Sequence, residues 1–386
     1  MSKVDDLIHE LCPEGVPYKA IASICIVSRG RVMSKDYLRD NAGEYPVYSS
    51  QTANNGVFGR IKTYDYDGEY LTWTTDGANA GSIFYRTGKF SITNVCGLLK
   101  VDTPSINAKY LAYTLGTIAK KHVSSGMGNP KLMSNVMSAV KVPIPPLEVQ
   151  NEIANILDKF TQLEAELEAE LEARQKQYEY YRNQLLTFDD AGGVRRVRLM
   201  DIAHYSKSRI ASAQLDTDSY VGVDNLLQNK QGKTTSSHVP KIGNLTRYEV
   251  GDILIGNIRP YLKKIWQAKN TGGTNGDVLV VSIKNEVKKE ISPDFLYHLL
   301  ASDNFFAYNM KNSKGAKMPR GDKMTIMKYE IPLPSIAEQN KVVSVLSVFD
   351  KLVNNLSSGL PAELSARRKQ YEYYRTKLLT FQEAGV

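Results

Sequence analysis

A sixteen-residue segment occurs twice in this chain. Residues 173–188 read ARQKQYEYYRNQLLTF, residues 366–381 read ARRKQYEYYRTKLLTF, and 13 of the 16 positions are identical. Weaker matches precede both copies, since Ile144-Pro-Pro-Leu147 and Leu333-Pro-Ser-Ile336 are each followed by a Gln-Asn pair. The 386-residue chain therefore consists of two tandem copies of about 190 residues, and each copy is predicted to fold as a globule followed by a helix.

Both helical regions carry a narrow apolar stripe. In residues 147–188 most apolar positions are three or four apart, which is typical of a helix that packs along a seam. The Leu-Glu-Ala-Glu tetrads that begin at Leu163 and Leu167 interrupt this alternation with a stutter. The second region begins with a capping box from Ser335 to Glu338, and its Gly-Leu-Pro segment at 359–361 predicts an interruption. We expect the two helices to pack on each other, with packing on the adjacent globule or on another chain as the alternative.

Between the helices the pattern changes to short apolar runs separated by Gly, Asn and Asp, with one short amphipathic helix in each copy. The predicted fold class is α+β. Two globular domains, at residues 1–146 and 194–334, alternate with long helical segments at 147–193 and 335–386. The whole chain is then a pseudo-two-fold internal repeat.

The loops of the two globules differ most where a shared strand ends. Residues 73–79 read WTTDGAN in the first copy, and residues 256–263 read GNIRPYLK in the second. Asn, Thr, Asp, Arg and Lys are side chains that read the edges of bases. A second shared loop has the pattern Gly-x-x-x-Pro-basic, at 126–131 and 315–320, and its basic tip suits a phosphate. The alternative is that these are surface loops whose sequences have diverged without a role in binding, or structural turns.

These loops, the polar segment 48–55 and Asn225 supply the candidate DNA-contacting residues. In the first copy they are Ser49, Ser50, Gln51, Asn54, Asn55, Thr74, Thr75, Asp76, Asn79 and Lys131, and in the second they are Asn225, Asn257, Arg259, Lys263, Lys317 and Arg320. We expect Arg259 to pair bidentately with guanine; a phosphate contact is its alternative role.

The net charge of 49 − 41 = +8 is compatible with nucleic-acid binding but does not establish it. Both globules are basic, whereas the segment between them is acidic. The three cysteines form no CxxC pair, and no secretory signal or membrane-spanning run is visible, so we expect a cytoplasmic protein without a membrane association.

No catalytic motif stands out. The P-loop, dinucleotide-binding and HExxH patterns are missing. An amino-methyltransferase would show an Asn/Asp-Pro-Pro-aromatic tetrad, but the residue before the prolines is Ile144. The weak remaining candidate is a nuclease built on scattered residues, for example Asp277 with Glu286 and Lys288. No metal site is predicted.

The chain resembles the specificity (S) subunits of type I restriction–modification systems over its whole length. The resemblance is carried by the duplicated globule–helix layout, the Pro-Pro-Leu and Pro-Ser-Ile segments with their Gln-Asn pairs, and the two KQYEYYR blocks. Segments 45–51 and 73–81 are similar to one type of target recognition domain in that family, and the repeated tetrads resemble a subfamily in which they set the spacer length.

The resemblance implies a non-catalytic DNA-binding subunit. Each globule would be a target recognition domain for one half of a bipartite, asymmetric site in double-stranded DNA. The helices would pair as an antiparallel coiled coil and set the spacer. Two modification subunits would dock on them with S-adenosylmethionine and methylate adenine N6. Restriction subunits with ATP and Mg would add a motor and nuclease, and this chain itself would hold no cofactor.

Docking of the modification subunits is predicted to use polar and aromatic residues of the helical segments. The candidates are Gln150, Tyr180, Arg182, Gln339, Tyr373 and Arg375. Tyr180 and Tyr373 lie off the apolar seam, where a large aromatic suits an anchor for a partner; contact with the adjacent globule is the alternative. Two other functions stay open: a self-contained nuclease or methyltransferase, and an assembly adaptor that binds DNA without sequence specificity.

Overall fold

The computed structural model describes residues 3–124, 128–188, 193–353 and 358–385. The chain divides into two compact units. Unit 1 is Met1–Ala165 with Ala366–Val386, and unit 2 is Glu166–Ser365. Each unit thus combines one globule with a part of both helical regions. The boundaries between the units therefore fall inside the predicted helical segments 147–193 and 335–386.

In its described residues, the globule of unit 1 combines eight strands with four short α-helices. The strands are β1 (Tyr18–Ala20), β2 (Cys25–Arg29), β3 (Ala42–Tyr48), β4 (Val57–Ile61), β5 (Tyr66–Thr74), β6 (Ile83–Ile92), β7 (Cys96–Val101) and β8 (Lys141–Pro143). The helices are α1 (Lys3–Leu11), α2 (Lys35–Asp40), α3 (Ala108–Ile118) and α4 (Ser134–Ala139). Six strands form one sheet in the order β2-β7-β5-β6-β3-β4, in which β3 and β6 are parallel and the other neighbours are antiparallel.

Helix α5 (Leu147–Leu186) follows, with its first part in unit 1 and its second part in unit 2. The remaining strands are β9 (Arg195–Arg198), β10 (Ala203–Tyr205), β11 (Arg209–Ala211), β12 (Tyr220–Val221), β13 (Asn244–Tyr248), β14 (Ile253–Gly256), β15 (Ile265–Gln267), β16 (Gly272–Thr274), β17 (Val278–Ile283) and β18 (Glu330–Leu333). The remaining helices are α6 (Leu199–Ile202), α7 (Pro293–Leu300), α8 (Asp303–Lys311), α9 (Lys323–Ile326), α10 (Ile336–Val353) and α11 (Gly359–Leu379). Unit 2 has two four-stranded sheets, β10-β17-β14-β15 and β11-β13-β16-β12.

The sheet that carries the predicted loops has the same register in both units. Leu71 of β5 lies opposite Leu99 of β7, and Ile253 of β14 lies opposite Val281 of β17. Both members of the second pair are 182 positions after their counterparts, since 253 − 71 and 281 − 99 give the same offset. The predicted α+β fold and internal repeat are therefore confirmed at the level of individual strand pairs.

The helices pair antiparallel within unit 1. The ring of Phe160 in α5 stacks on that of Tyr374 in α11 at a centroid distance of 5.6 Å. One helical turn further along α5, Glu164 pairs with Arg368 of α11, so the partner positions fall as the α5 positions rise. The apolar stripe also reaches the globule through Tyr110, so the helices pack both on each other and on their own globule.

In unit 2 the second part of α5 packs against α10. Tyr178 and Tyr181 both lie near the ring of Phe349, at 6.2 and 5.7 Å between centroids. The predicted capping box is present, because the backbone N–H of Glu338 donates to the hydroxyl of Ser335. The predicted interruption is present as well. Ser358 forms a bend outside the helix, and α11 begins at Gly359, whose φ of +72° is left-handed, while residues 354–357 lie outside the described residues.

Candidate nucleic-acid interface

Two loops of unit 1 that were predicted separately form a single surface. The first follows β5, and the second precedes α4. The backbone N–H of Gly77 donates to the carbonyl of Pro130 at 3.0 Å, which holds the two loops side by side. We call residues 75–79 and 128–132 platform 1. Gly126 of the predicted basic loop lies outside the described residues.

Unit 2 builds the same surface from the equivalent loops. The backbone N–H of Arg259 donates to the carbonyl of Pro319 at 2.7 Å. We call residues 257–263 and 315–321 platform 2. The donors Gly77 and Arg259 are 182 positions apart and the two acceptor prolines are 189 apart, which are the offsets of the repeat around each loop. The juxtaposition is therefore a property of the repeated fold.

In platform 2 two arginines extend into solvent from neighbouring backbone segments. The guanidinium of Arg320 lies 3.1 Å from a carboxylate oxygen of Asp277. Arg320 is also held by its backbone, which exchanges two hydrogen bonds with Lys314 at 2.8 and 2.9 Å. Arg259 is exposed at φ +52° and has no ion pair within the part of the chain described. Lys317 is exposed at the tip of the same loop.

In platform 1 one carboxylate lies between two cations. Asp76 is 3.9 Å from the ammonium of Lys131 and 3.7 Å from the guanidinium of Arg29. Arg29 was not among the sequence candidates, because it is the last residue of β2 and no local pattern distinguishes it. Lys131 and Asn79 are exposed, so both are available to a ligand of this surface.

The third predicted loop of unit 1, residues 48–55, is joined to the end of β6. The hydroxyl of Thr93 donates to that of Ser49 at 2.9 Å. Ser50 and Gln51 are partly buried, and the Gln51 amide donates to the backbone carbonyl of Val57. These contacts fix the base of the loop.

At the tip of this loop, Asn54 and Asn55 are both exposed and both left-handed, with φ +50°. Asparagine tolerates this conformation better than most residues. Beneath the loop lies Arg86, a buried residue that sequence reasoning missed, with its guanidinium 3.6 Å from the ring centroid of Tyr48. Burial lowers the pKa of Arg86. The exposed tip of the loop therefore carries two amides, and its base adjoins a buried cation at Gly56.

Four sequence candidates are buried. Thr74, Thr75, Asn225 and Asn257 are each no more than 6% exposed. Thr74 donates to the carbonyl of Asn79, and Asn225 accepts the N–H of Gly222 at 2.9 Å. Thr74 and Asn225 therefore shape the loops from within, and direct contact of these four residues with DNA stays a prediction.

Lys263 is also engaged within the chain. Its ammonium lies 2.7 Å from Asp303, which receives a second, longer contact from the buried Lys230. Lys230 pairs with Glu179 of α5 at 2.6 Å, and burial lowers the pKa of the Lys230 ammonium. Lys263 therefore ties platform 2 to a charged cluster in unit 2, and its contact with DNA stays a prediction.

Gln150 and Gln339 connect each long helix to its own globule. Both are fully buried. Gln150 accepts the N–H of Asn107, at the start of α3, and donates to the carbonyls of Ser105 and Pro145. Gln339 makes the same three bonds 185 to 189 positions later, at the start of α7. Both amides therefore secure a connection within the chain, and their predicted binding of a partner stays a prediction without support from this geometry.

The two arginines of the repeated block differ in burial. Arg182 is fully buried and donates to the carbonyl of Ala301 at 3.3 Å and to the hydroxyl of Tyr178. Its predicted role as a partner contact stays a prediction. Arg375 is only half-buried and lies 5.4 Å above the ring centroid of Tyr371, so it stays a candidate.

Tyr180 and Tyr373 are exposed. Their exposed fractions are 58% and 63%, which decides against burial in the adjacent globule. Each ring meets the next tyrosine of its block edge-on, at 5.5 and 5.3 Å between centroids. They are large apolar rings on the surface of a helix, and their binding of a partner stays a prediction.

The scattered nuclease candidates are not assembled. Asp277 immediately precedes the six-residue strand β17, whereas Glu286 and Lys288 follow that strand, so the acidic residues lie at opposite strand ends. Among the residues described, no group of three or more His, Cys, Asp or Glu side chains is arranged to hold a metal ion. No helix in those same ranges is long and apolar enough to cross a membrane.

Comparison with known proteins identifies the family. The model of the type I restriction modification DNA specificity domain matches twice, at residues 13–173 and 193–366. A type I specificity subunit of Mycoplasma pneumoniae is 31% identical over 375 residues, covering 94% of this chain and 97% of that protein. The N-terminal part of another specificity subunit from the same organism is 51% identical over 174 residues, covering 43% of this chain and 93% of that sequence.

A solved structure has the same fold. The S subunit of a type I restriction–modification system from M. genitalium aligns with a TM-score of 0.62 over 95% of this chain and 96% of its own, at 15% sequence identity. The duplicated family domain, the full-length relative and the repeated fold agree with one another. The chain belongs to the type I restriction–modification DNA specificity family, whose members are the specificity subunits of these systems.

Proposed function

We propose that each unit reads one half of a bipartite, asymmetric site in double-stranded DNA through its platform. The observation that carries this proposal is the pair of platforms themselves. Equivalent backbone positions hold the same two loops together in both units, but the side chains they present differ: Asp76, Asn79 and Lys131 in one, Arg259 and Arg320 in the other. A shared backbone with different polar side chains suits two surfaces that read different base sequences.

The charges fit this role. Exposed cations on each platform attract the phosphate backbone, which supplies affinity and register without sequence information. The exposed amides of Asn54, Asn55 and Asn79 are groups that hydrogen-bond to base edges. We propose that the recognition domains lie within residues 1–146 and 194–334, and that the platforms are their reading surfaces.

We further propose that the helical segments 147–193 and 335–386 set the spacer between the half-sites. Helix α5 is described without a break over 40 residues, which corresponds to a rod of about 60 Å. Two modification subunits would dock on these helices, with Tyr180 and Tyr373 as anchors. Those subunits would bind S-adenosylmethionine and methylate adenine N6, and restriction subunits would add ATP- and Mg-dependent cleavage. The chain would act on cellular DNA in the cytoplasm without a cofactor or catalytic site of its own.

The test is a map of adenine methylation by long-read sequencing. A host without such methylation expresses this chain together with the modification subunit of its system, and control strains omit each in turn. The proposal predicts a motif of two short halves separated by a fixed spacer, which disappears when either chain is left out. A soluble complex that binds DNA but gives no methylated motif would contradict it and favour a non-specific assembly adaptor.

A further inference from the structure

The guanidinium of Arg320 is paired with a carboxylate that lies beside platform 2. Its Nη2 lies 3.1 Å from Oδ1 of Asp277, and its backbone is bonded in both directions to Lys314. Asp277 is itself anchored to platform 2, because its carbonyl accepts the N–H of Asn257 at 2.8 Å. The loops of platform 2 and the start of β17 thus form one hydrogen-bonded assembly around this ion pair.

Arg259 lies on the adjacent backbone segment without such a support. Its N–H is bonded to Pro319, the residue before Arg320, but its side chain makes no ion pair among the residues described. A mobile arginine readily follows a phosphate, whereas bidentate pairing with the O6 and N7 atoms of guanine requires a fixed guanidinium plane. The two arginines of one platform are therefore suited to different tasks.

The position of Asp277 supports a role in recognition. Its side chain is 34% exposed and that of Arg320 is 56% exposed, and an ion pair with this exposure contributes little to folding stability. A carboxylate near DNA also repels phosphates, so it weakens binding to every sequence alike. The Asp277 carboxylate can offset this repulsion, because it orients the Arg320 side chain before DNA binds and so lowers the conformational entropy that is lost on binding.

We propose that Asp277 is a positioning residue that holds Arg320 in the orientation that reads a guanine of the unit 2 half-site, while Arg259 contacts a phosphate. This inference rests on the proposed function. It also reverses the expectation from the sequence, in which Arg259 was the base-reading arginine.

The experiment uses the full-length chain in complex with its modification subunits, without restriction subunits, at one fixed salt concentration. Dissociation constants are measured for a duplex that contains the motif found by methylation mapping. They are also measured for duplexes in which each base pair of that motif is replaced in turn, and for a random duplex. The variants are Arg320→Ala, Asp277→Asn and Arg259→Ala. The matched control is Glu249→Gln, which removes the carboxylate from the exposed ion pair of Glu249 with Arg247. This pair precedes strand β14, whereas platform 2 follows that strand.

The proposal predicts that Arg320→Ala loses about 5- to 150-fold of discrimination at one G·C pair. Asp277→Asn is expected to lose discrimination at the same pair by a smaller factor, and to bind the random duplex more tightly because a negative charge is gone. Arg259→Ala is expected to weaken binding to all duplexes equally. In a salt titration, the slope of log affinity against log salt concentration should become shallower by about 1, as expected for the loss of one phosphate contact. Glu249→Gln is expected to match the unaltered chain.

Two results overturn the inference while the proposed function stands. In the first, Asp277→Asn discriminates as well as Glu249→Gln at every position. In the second, Arg320→Ala weakens all sequences equally. Failure of the proposed function looks different, because the unaltered complex would then bind the motif and the random duplex alike, and the inference would be lost with it.

Discussion

The buried glutamine of each unit provides a sharp test of how the long helices are attached to the globules. Gln150→Met keeps the length of the side chain but removes its amide. The N–H of Asn107 and the carbonyls of Ser105 and Pro145 then lose their partner, in a site where Gln150 is fully buried. We expect unit 1 to lose about 3 kcal/mol of unfolding free energy, since a buried group left without a partner costs about 1–3 kcal/mol.

Each unit contains one tryptophan, so the unfolding of one unit can be followed separately by fluorescence. Trp73 lies in unit 1 and Trp266 in unit 2, and the chain contains no others. In a Trp266→Phe background, fluorescence during urea unfolding reports on Trp73 alone. We expect Gln150→Met to lower the midpoint of this transition by about 1–3 M, given a dependence of about 1–3 kcal/mol per M.

The matched control is Gln339→Met in the same background. It removes the equivalent amide from unit 2, so the Trp73 transition should stay within about 0.5 kcal/mol of its original position. Equal shifts for both variants, or no shift for Gln150→Met, would refute the reasoning that each glutamine secures its own unit.

Three further outcomes are expected. Deleting residues 167–170 removes about 6 Å of helix, so the spacer in the methylated motif should shorten by one or two base pairs with both half-sites unchanged, and an unchanged spacer contradicts this. Tyr180→Ala combined with Tyr373→Ala should weaken binding of the modification subunits in a titration without changing the circular dichroism spectrum; unaltered affinity refutes the anchor role. Burial lowers the pKa of His298 to about 3, so between pH 6.5 and 3 the unfolded chain binds a proton that the folded chain does not. Stability should therefore fall as the pH falls, by about 2 kcal/mol at pH 5, and His298→Gln should abolish this dependence in urea unfolding followed by Trp266; an unchanged slope contradicts it.

The helices and the repeat were predictable because their signals are local. Spacing of apolar residues locates α5, the Ser335 capping box marks the start of α10, and the Gly-Leu-Pro segment marks the break before α11. The repeat followed from direct comparison of the two halves. These features depend on a few neighbouring residues, which a sequence displays.

The contacts within the candidate site were not predictable in the same way. That Asp76 lies beside Lys131, or Asp277 beside Arg320, depends on strand pairing between distant segments. Burial is equally non-local, and the repeated block shows this clearly. Arg182 and Arg375 occupy equivalent positions in almost identical sequences, yet only Arg182 is fully enclosed, because the surroundings of the two helices differ.

The two glutamines are a further case in which the role of a residue depends on contacts with distant segments. Gln150 and Gln339 recur at equivalent positions of the repeat, and both are among the residues predicted to bind the modification subunits. The structure gives a different reason, which is that the same helix–globule connection is needed twice. A repeated residue therefore indicates a shared structural demand before it indicates a shared binding site.

The central claim is that each globule reads its own half of the target. Replacing residues 194–334 with the corresponding globule of a specificity subunit that has a different motif, and mapping adenine methylation again, tests it most directly. The account predicts a hybrid motif in which one half-site changes to that of the donor while the other half-site and the spacer are retained. Changes in both half-sites, or in neither, would contradict it.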